Sequence, residues 1–323
     1  MKEYLLTNSR GLSVLLNSFG AGVKSITLNG KRLILEPRTM DCYQNNSMYL
    51  GKTLGRVAGR TSGEISIGEK TFKLKADDDG ITLHGGEKDS LSFKDFTGKT
   101  FASPDEKGVI FSYLSPDLEN GYPGNLLLEV IYSLKEKENI FNIHYRAKSD
   151  KDTVLNISNH IYWSIDDGGL DNVSLFVDSS KIGKFYDTSL LLKDVEETDD
   201  LHLFKTLSPL KNKLDKIVSS SDIKTIDHTY VFDNEDENKE KVILLSDNIQ
   251  VNCYTTYSAC NIFCDLTRNE LDLANGNHYK TMDRRAIAIE PQKLLVKDIS
   301  LRAEEIYEEN ITYKITEVVN DEH

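Results

Sequence analysis

The sequence contains no apolar run that approaches the roughly 20 residues needed to cross a membrane. Its first residues, Met1-Lys2-Glu3-Tyr4-Leu5-Leu6, also lack the apolar core of a secretory signal. Charged residues make up 28% of the chain, which is typical of a soluble protein. We therefore expect a cytoplasmic location and no membrane partner.

An excess of positive charge is missing as well. The 323 residues include 39 Lys and Arg against 52 Asp and Glu, a formal net charge of −13 at pH 7. Nucleic acids and anionic membranes attract basic patches, so neither is an expected partner. The expected partner is a small neutral molecule.

Cysteine is scarce, since the chain contains only Cys42, Cys253, Cys260 and Cys264. The last two could form half of a metal site, but no second pair or adjacent histidine completes it. Buried thiols are therefore expected rather than metal ligands.

Helical periodicity over three turns is hard to find anywhere in the sequence. Short apolar runs are separated by turn residues instead, and apolar residues alternate with polar ones at Phe141, Ile143, Tyr145 and Ala147. Many short strands joined by turns indicate an all-β sandwich or barrel. The strand pattern resumes unchanged beyond residues 200–225, so we expect one large domain over residues 1–323.

Three polar segments interrupt the strand pattern. Acidic residues cluster at 193–200 and 233–241, where we expect solvated loops, and a run of serines predicts a turn or linker at 219–222. The predicted strands in the second half of the chain are 173–178, 242–245, 249–255, 286–290 and 313–319.

Two glycine-rich segments are the first candidates for a functional site. They are Gly55-Arg56-Val57-Ala58-Gly59-Arg60 and Leu83-His84-Gly85-Gly86. Glycine permits crowded backbone conformations, so these segments could place arginine and histidine at the lip of a pocket. No Gly-Lys-Ser/Thr sequence and no following helix are present, which argues against a phosphate loop.

A polar strand face supplies the next candidate. If residues 154–163 form one strand, Asn156, Ser158, His160 and Tyr162 share one side of it. A polar face without lysine or glutamate is typical of a binding surface. An ordinary outer face with a surface histidine explains the pattern equally well.

Two carboxylates complete the set of candidates. Ala286, Ala288 and Glu290 share a strand face, which leaves space beside the carboxylate, and Pro291 is expected to end the pairing. Taken alone, Glu290 is more simply a surface carboxylate at a strand end. Asp227, taken alone, is expected to cap its own backbone in a turn.

A metal site is an alternative use of these residues. His84, His160 and a carboxylate could form a two-histidine, one-carboxylate site. No spacing typical of metal ligands supports it, and the nearby charge of Arg60 would repel a cation. We expect no metal.

Taken together, these motifs resemble those of the aldose 1-epimerases, the galactose mutarotases. The matching segments follow the family's order from about residue 45 to the C-terminal strands. Besides the two glycine-rich segments they are Ser115-Pro116-Asp117, Gly121-Tyr122-Pro123-Gly124-Asn125-Leu126, the stretch from Asn156 to Tyr162, Asp227-His228 and Ile289-Glu290-Pro291-Gln292. The resemblance implies a single large β-sandwich, the galactose mutarotase-like supersandwich, with a sugar in an open cleft on one sheet.

The resemblance also implies roles for individual residues. Glu290 matches the family's general base and His160 its general acid, while His84 matches the histidine near the ring oxygen. The sugar-binding positions that match are Arg60, Asp227 and Asn261, and Arg56 is expected to be structural. The chemistry is opening and closing of the hemiacetal ring, which requires no cofactor. Glu290 is expected to start ionised and His160 protonated, with a bell-shaped pH–rate profile.

This sequence departs from the family's pattern in one place that concerns the sugar contacts. Gly59 stands where many members have asparagine, so one sugar contact is expected to be missing or supplied by another residue. An epimerase of phosphorylated hexoses would need additional basic residues at the cleft rim. A non-catalytic carbohydrate-binding sandwich would need no acid and base, and a metal-dependent lyase or hydrolase is a third rival. The residues do not distinguish a monomer from a homodimer.

Overall fold

The computed structural model describes residues 1–187, 189–220, 225–264, 270–272, 278–280, 284–295 and 299–318. Strands dominate this part of the chain, which confirms the predicted all-β class. The α-helices described are Met40–Asn45 (α1) and Leu210–Ser220 (α2). Short 3₁₀ helices occur at Glu87–Asp89, Leu91–Phe93, Glu119–Gly121 and Gly169–Asn172.

The described strands are mostly short and are numbered in chain order. The first ten are β1 (Glu3–Thr7), β2 (Leu12–Asn17), β3 (Gly22–Leu28), β4 (Lys31–Arg32), β5 (Thr53–Leu54), β6 (Arg60–Ser62), β7 (Glu64–Ile67), β8 (Lys70–Lys73), β9 (Ile81–Leu83) and β10 (Thr97–Ala102). They are followed by β11 (Glu106–Ser115), β12 (Leu126–Lys135), β13 (Ile140–Ser149), β14 (Thr153–Val154), β15 (Ser158–Asn159), β16 (Tyr162–Trp163), β17 (Ser174–Val177), β18 (Lys181–Phe185), β19 (Leu192–Glu197) and β20 (Ser208–Pro209). The remainder are β21 (Ile226–Val231), β22 (Val242–Leu245), β23 (Ile249–Thr255), β24 (Ala259–Cys264), β25 (Glu270–Asp272), β26 (His278–Lys280), β27 (Ile287–Gln292), β28 (Ser300–Leu301) and β29 (Ile306–Glu317).

Two large antiparallel sheets organise the molecule. One has nine strands in the order β10-β11-β12-β13-β29-β23-β22-β17-β20, and the other has six in the order β16-β27-β24-β21-β18-β19. A four-stranded sheet, β1-β2-β3-β4, lies beside them. One hydrophobic core joins the two large sheets, with Tyr132 and Tyr145 from the first and Ile262 and Ile289 from the second. The sandwich architecture is thereby confirmed.

The period of two explains how β13 contributes to this core. Phe141, Ile143, Tyr145 and Ala147 are all buried, while the residues between them are half-buried or exposed. Alternate side chains of a strand point to opposite faces, so one face of β13 packs inward and the other meets solvent. The predicted strands at 242–245 and 249–255 are confirmed as β22 and β23.

Helix α2 was missed by the sequence analysis. Leu210, Leu214 and Ile217 are fully buried at helical spacing, and Pro209 directly precedes the helix, a favourable place for proline. Ser219 and Ser220, predicted as turn or linker, belong to this helix, whereas 221 and 222 lie outside the described residues. Three buried positions among many charged ones form a weak pattern, which is why the helix was overlooked.

The predicted loop at 193–200 is wrong for most of its length. Residues Leu192–Glu197 form β19, which pairs with β18 at one edge of the six-stranded sheet. Most of its side chains are exposed, and charged residues are well tolerated on an edge strand. The acidic loop predicted at 233–241 is confirmed.

Residues 154–163 do not form one continuous strand, contrary to our expectation. They divide into β14, β15 and β16, which pair with β28, β5 and β27 respectively. The chain therefore crosses between sheets while remaining buried throughout, so the alternative of a solvent-exposed polar face is wrong.

Pro291 does not end the pairing of β27, as its register continues to Gln292. On the other side of β27, β16 pairs only with Ile287 and Ala288. The Pro291 end of β27 thus has a partner on one side only and tolerates a residue without an N–H.

Three of the cysteines, Cys253, Cys260 and Cys264, are buried as expected. None of the described helices has the length and apolar character required to span a membrane.

Candidate active site

A cleft on the six-stranded sheet gathers the polar side chains. Thr229, Asn261 and Glu290 lie opposite one another on β21, β24 and β27, so they form one row across the sheet. Their neighbours Ile262 and Ile289 point to the other face and join the core. The alternation of each strand therefore presents polar groups to the cleft, which has about 800 Å³ of empty space including its open mouth.

All six predicted site residues line this cleft. Four of them lie on strands β6, β21, β24 and β27 and the two histidines lie in loops, although up to 230 residues separate them in sequence. The lining includes Arg60, His84, His160, Asp227, Asn261 and Glu290.

His160 and Glu290 lie in direct contact at the base of the cleft. His160 Nε2 is 3.3 Å from Glu290 Oε1, and the two side chains are only 5% and 1% exposed. Tyr162 stacks on the His160 ring with centroids 4.7 Å apart, and Phe263 meets it edge-on at 5.9 Å. An acid and a base are thus held together with almost no access to bulk water.

Burial disfavours the charged forms of both members of this pair. It raises the pKa of Glu290 well above its usual value, and the negative charge of Asp227 raises it further, while Arg60 opposes the shift. Burial lowers the pKa of His160 to about 3, and the charge of Arg60 adds to this effect. Burial therefore opposes both an ionised Glu290 and a protonated His160.

These directions oppose the ionised Glu290 and protonated His160 that we expect for the start of the reaction. The cause is desolvation, which a sequence does not reveal. A neutral Glu290 beside a neutral His160 nevertheless carries the same number of protons as an ionised Glu290 beside a protonated His160. Because the two groups are in contact, they titrate as a unit, and moving the proton from one to the other changes no net charge. A bell-shaped pH–rate profile remains the prediction.

His84 connects the two glycine-rich segments. Its Nδ1 accepts a hydrogen bond from the backbone N–H of Gly59 at 3.1 Å, and the backbone N–H of His84 donates to the Gly59 carbonyl at 2.9 Å. Gly85 packs so closely that an added Cβ would lie 2.2 Å from the Gly55 carbonyl oxygen, at a φ of +85°. Glycine is required at position 85 for this approach, which sets the imidazole of His84 5.5 Å from that of His160, measured between ring centroids.

Arg60, Asp227 and Asn261 form a polar wall on another side of the cleft. Arg60 Nη1 donates to Asp227 Oδ2 at 2.8 Å, and Asn261 Nδ2 donates to Asp227 Oδ1 at 3.0 Å. Asp227 is therefore a strand residue of β21 with two side-chain partners, and the predicted turn is wrong. Arg60 is 28% exposed, so its remaining donors can reach a ligand in the cleft.

Comparison with known proteins agrees with this geometry. The model of the aldose 1-epimerase family matches residues 2–314. The chain belongs to the aldose 1-epimerase family. Members of this family are mutarotases and epimerases, which are isomerases, and their expected substrate is a sugar.

Two relatives and one solved structure show how similar this chain is to known members of the family in sequence and in fold. The chain is 27% identical to a maltose epimerase of Levilactobacillus brevis over 98% of its own length and 95% of that protein. It is 32% identical to a galactose mutarotase of Mus musculus over 53% of this chain and 50% of that protein. A crystal structure of an aldose epimerase homologue from C. elegans has the same fold, with a TM-score of 0.87, 24% identity and coverage of 98% and 99%.

Several aromatic and apolar residues of this aldose 1-epimerase cleft were missed by the sequence analysis. Tyr49 lies edge-on to His84 at 4.8 Å, and Phe185, Leu192 and Leu295 line the outer part. They follow no motif and come from loops and strand ends, so only the fold brings them to the site. The space predicted beside Glu290 is partly filled, because Tyr162 packs with Ala286 and Ala288 in one apolar cluster.

The structure also brings together the three residues of the alternative metal site. Ligand atoms of His84, His160 and Glu290 all lie within 4.8 Å of one another. Such a donor set is compatible with a transition metal. The charge of Arg60 lowers the pKa of both histidines and so acts on this part of the cleft, where it opposes a second cation. Activity measured with and without a metal chelator distinguishes a metal site from an acid–base site that works without metal.

Asp227→Asn is expected to shift the alkaline limb of the kcat/KM profile to lower pH. Loss of the proton from the Glu290–His160 pair sets that limb, and the charge of Asp227 raises the pKa of Glu290. Removing the charge therefore lowers that pKa. Initial rates measured by polarimetry across pH give the limb, with Asp236→Asn, the same change in an exposed loop, as the control. A limb that stays in place or moves upwards contradicts this assignment.

Proposed function

We propose that this protein interconverts the α and β anomers of free hexoses such as galactose and glucose. Glu290 acts as the general base and His160 as the general acid. The observation that supports this most strongly is the buried contact of 3.3 Å between His160 Nε2 and Glu290 Oε1 inside a cleft lined with hydrogen-bonding groups.

The proposed reaction requires proton transfer at two oxygens that share one carbon. Glu290 removes the proton from the C1 hydroxyl, His160 donates one to the ring oxygen, and the bond between C1 and the ring oxygen breaks. The resulting open-chain aldehyde rotates about C1–C2. The ring closes by the reverse transfers on the other face, which restores both groups. Each positioned acid or base typically contributes about 10²–10⁴-fold to the rate.

Glu290 must be ionised before it can act as the base. Burial opposes this ionised form, and the contact with His160 Nε2 provides a direct route by which a proton on Glu290 can pass to His160. The charge of Arg60 lowers the pKa of both groups, so it favours the ionised Glu290 but opposes the protonated His160. A ligand that supplies hydrogen bonds to the carboxylate would favour the ionised form further.

The charge of the cleft favours a neutral sugar over a phosphorylated one. Arg60 is the one cationic side chain among the described residues that line the cleft, and Asp227 already neutralises it. A phosphate in the same place would also meet the carboxylates of Asp227 and Glu290. A non-catalytic binding protein has no need for a buried acid–base pair, since burying titratable groups lowers stability.

The test is polarimetry of freshly dissolved α-D-galactose, α-D-glucose and their 6-phosphates, with and without a metal chelator. We expect rapid relaxation of the optical rotation for the free sugars, slower relaxation for the phosphates and no effect of the chelator. Relaxation no faster than in buffer for every sugar would overturn the proposal. Preference for the phosphates would favour the phosphohexose epimerase, and loss of activity with chelator would favour the metal site.

A further inference from the structure

A buried amide lies on β27 close to the acid–base pair. Gln292 lines the cleft two residues after Glu290, and its side chain is almost completely buried. Alternate residues of a strand share a face, so both side chains lie on the same side of β27, at a spacing of roughly 6.5 Å along the strand. One hexose ring in the cleft can therefore contact both of them.

The carbonyl oxygen of this amide lacks a hydrogen-bond partner. Gln292 Oε1 is buried and accepts no hydrogen bond within the part of the chain that the structure describes. A buried acceptor without a donor is unfavourable, and most buried side-chain oxygens in proteins are paired. Because Gln292 lines the cleft, a ligand bound there can supply the donor.

Gly59 leaves the space beside the amide uncovered. A Cβ at position 59 would lie 3.6 Å from Gln292 Oε1 and 3.7 Å from Gln292 Nε2, and the φ of +86° also favours glycine there. The backbone N–H of Gly59 already donates to His84 Nδ1 at 3.1 Å. Residue 59 therefore offers a ligand neither a side chain nor a free N–H, whereas the neighbouring amide of Gln292 offers an acceptor.

The acceptors of the polar wall differ from Gln292 Oε1, because each of them already has a donor. Arg60 and Asn261 donate to the two carboxylate oxygens of Asp227, and Thr229 Oγ1 lies 3.3 Å from Asn261 Oδ1 as its donor. These bonds form before any sugar binds. A sugar hydroxyl is a neutral O–H donor that suits an amide oxygen, and an aldohexose ring carries such groups on C2, C3, C4 and C6 besides C1.

From these observations we propose that Gln292 binds the substrate, with Oε1 accepting a hydrogen bond from a hexose hydroxyl other than the one at C1. Gln292 then supplies the contact that Gly59, without a side chain, does not make. A sugar that lacks this hydroxyl leaves the buried oxygen unpaired and is a poorer substrate. This inference rests on the proposed function, because it takes the reaction at C1 as given.

The experiment compares Gln292→Met with the wild-type protein on D-glucose and its 2-, 3-, 4- and 6-deoxy analogues. Methionine keeps the length of the side chain but removes the amide. Polarimetry of freshly dissolved anomers gives kcat and KM for each sugar after subtraction of the buffer rate. We expect kcat/KM for glucose to fall about threefold to tenfold, the size of one neutral hydrogen bond, mainly through a higher KM. For one analogue kcat/KM should not change, because that analogue lacks the hydroxyl that Gln292 binds.

Two further variants serve as control and as second test. Gln250→Met makes the same change on β23, where the Gln250 amide donates to Asn252 away from the cleft, and it should keep the wild-type kcat/KM for every sugar. Gln292→Asn keeps an amide but shortens the side chain by one methylene, so it should show the same selective loss even if Gln292→Met does not fold. Urea denaturation establishes which variants are folded.

The outcomes separate this inference from the proposed function. Equal losses on glucose and all four analogues in a folded Gln292 variant, or no loss on glucose, overturn Gln292 as a sugar contact and leave the mutarotase assignment intact. A loss confined to kcat, or an equal loss in Gln250→Met, overturns it as well. Absence of wild-type activity on glucose and every analogue overturns the proposed function and this inference together.

Discussion

Glu290→Gln is expected to lower kcat for mutarotation by about 10²–10⁴-fold, the range typical of a positioned general base. Glutamine has nearly the same shape and can still form hydrogen bonds, but it cannot accept the proton from the C1 hydroxyl. The fold should be retained, since the change removes a carboxyl group that burial already disfavours in its charged form. Polarimetric initial rates over a range of sugar concentrations separate kcat from KM.

A matched control for this change is Glu36→Gln. Glu36 is also a largely buried carboxylate, with an 11% exposed side chain that pairs with Arg32, but it does not line the cleft. It should keep the wild-type rate. A positioned general base should raise kcat by at least about 10²-fold. If Glu290→Gln therefore retains more than about a tenth of the wild-type kcat, Glu290 is not the base.

His160→Asn should produce a loss of similar size. The two residues act in one proton-transfer unit, so the double variant should be about as slow as the slower single variant. Losses that multiply would instead indicate that Glu290 and His160 act in separate steps.

Arg56→Ala is expected to lower the free energy of unfolding by about 3–5 kcal/mol, as breaking a buried charged network typically does. Arg56 is only 2% exposed, and its guanidinium holds the first glycine-rich segment to the loop that follows β11. The acceptors are Ser115 Oγ at 2.8 Å, Ser115 O at 3.0 Å, Pro116 O at 3.1 Å, Pro123 O at 3.0 Å and Gly124 O at 2.9 Å. Removal of the donor leaves these oxygens without this partner, and unpaired buried polar groups are unfavourable.

Urea denaturation measures this loss, and two variants calibrate it. Arg56→Lys keeps the charge but has three donors in place of five, so its loss should be intermediate. Arg146→Ala removes an exposed partner of Glu308 and should change stability by about 1 kcal/mol or less. Equal stability of Arg56→Ala and Arg146→Ala would contradict the structural role assigned to Arg56.

The predicted site residues lie together in one cleft, whereas the single strand predicted around His160 is wrong. Glycine pairs and family motifs mark the positions of His84, Asn261 and Glu290 in the sequence. The strand faces then explain why they meet, since Asn261 lies directly opposite Glu290 in the register of β24 and β27. Motifs are local, and so they remain recognisable without knowledge of the sheet order.

Features that depend on burial and tertiary pairing were not predicted. The sequence around His160 looks like one strand. In the structure this segment forms three short strands, which pair with three different partners. Asp227 looks like a turn residue until β21 is seen between two neighbours. The pKa of His160 falls to about 3 only because the fold removes it from water, and no sequence pattern reports that.

The most direct measurement is ¹H exchange spectroscopy by NMR, which follows the exchange between the anomeric signals of the α and β forms of galactose and glucose at equilibrium. It counts the conversions between α and β forms without any net change in rotation. We expect exchange far above the buffer rate with the wild-type protein, and exchange at or near the buffer rate with Glu290→Gln, His160→Asn and the double variant. Wild-type exchange no faster than in buffer, or fast exchange that persists in the double variant, would contradict it.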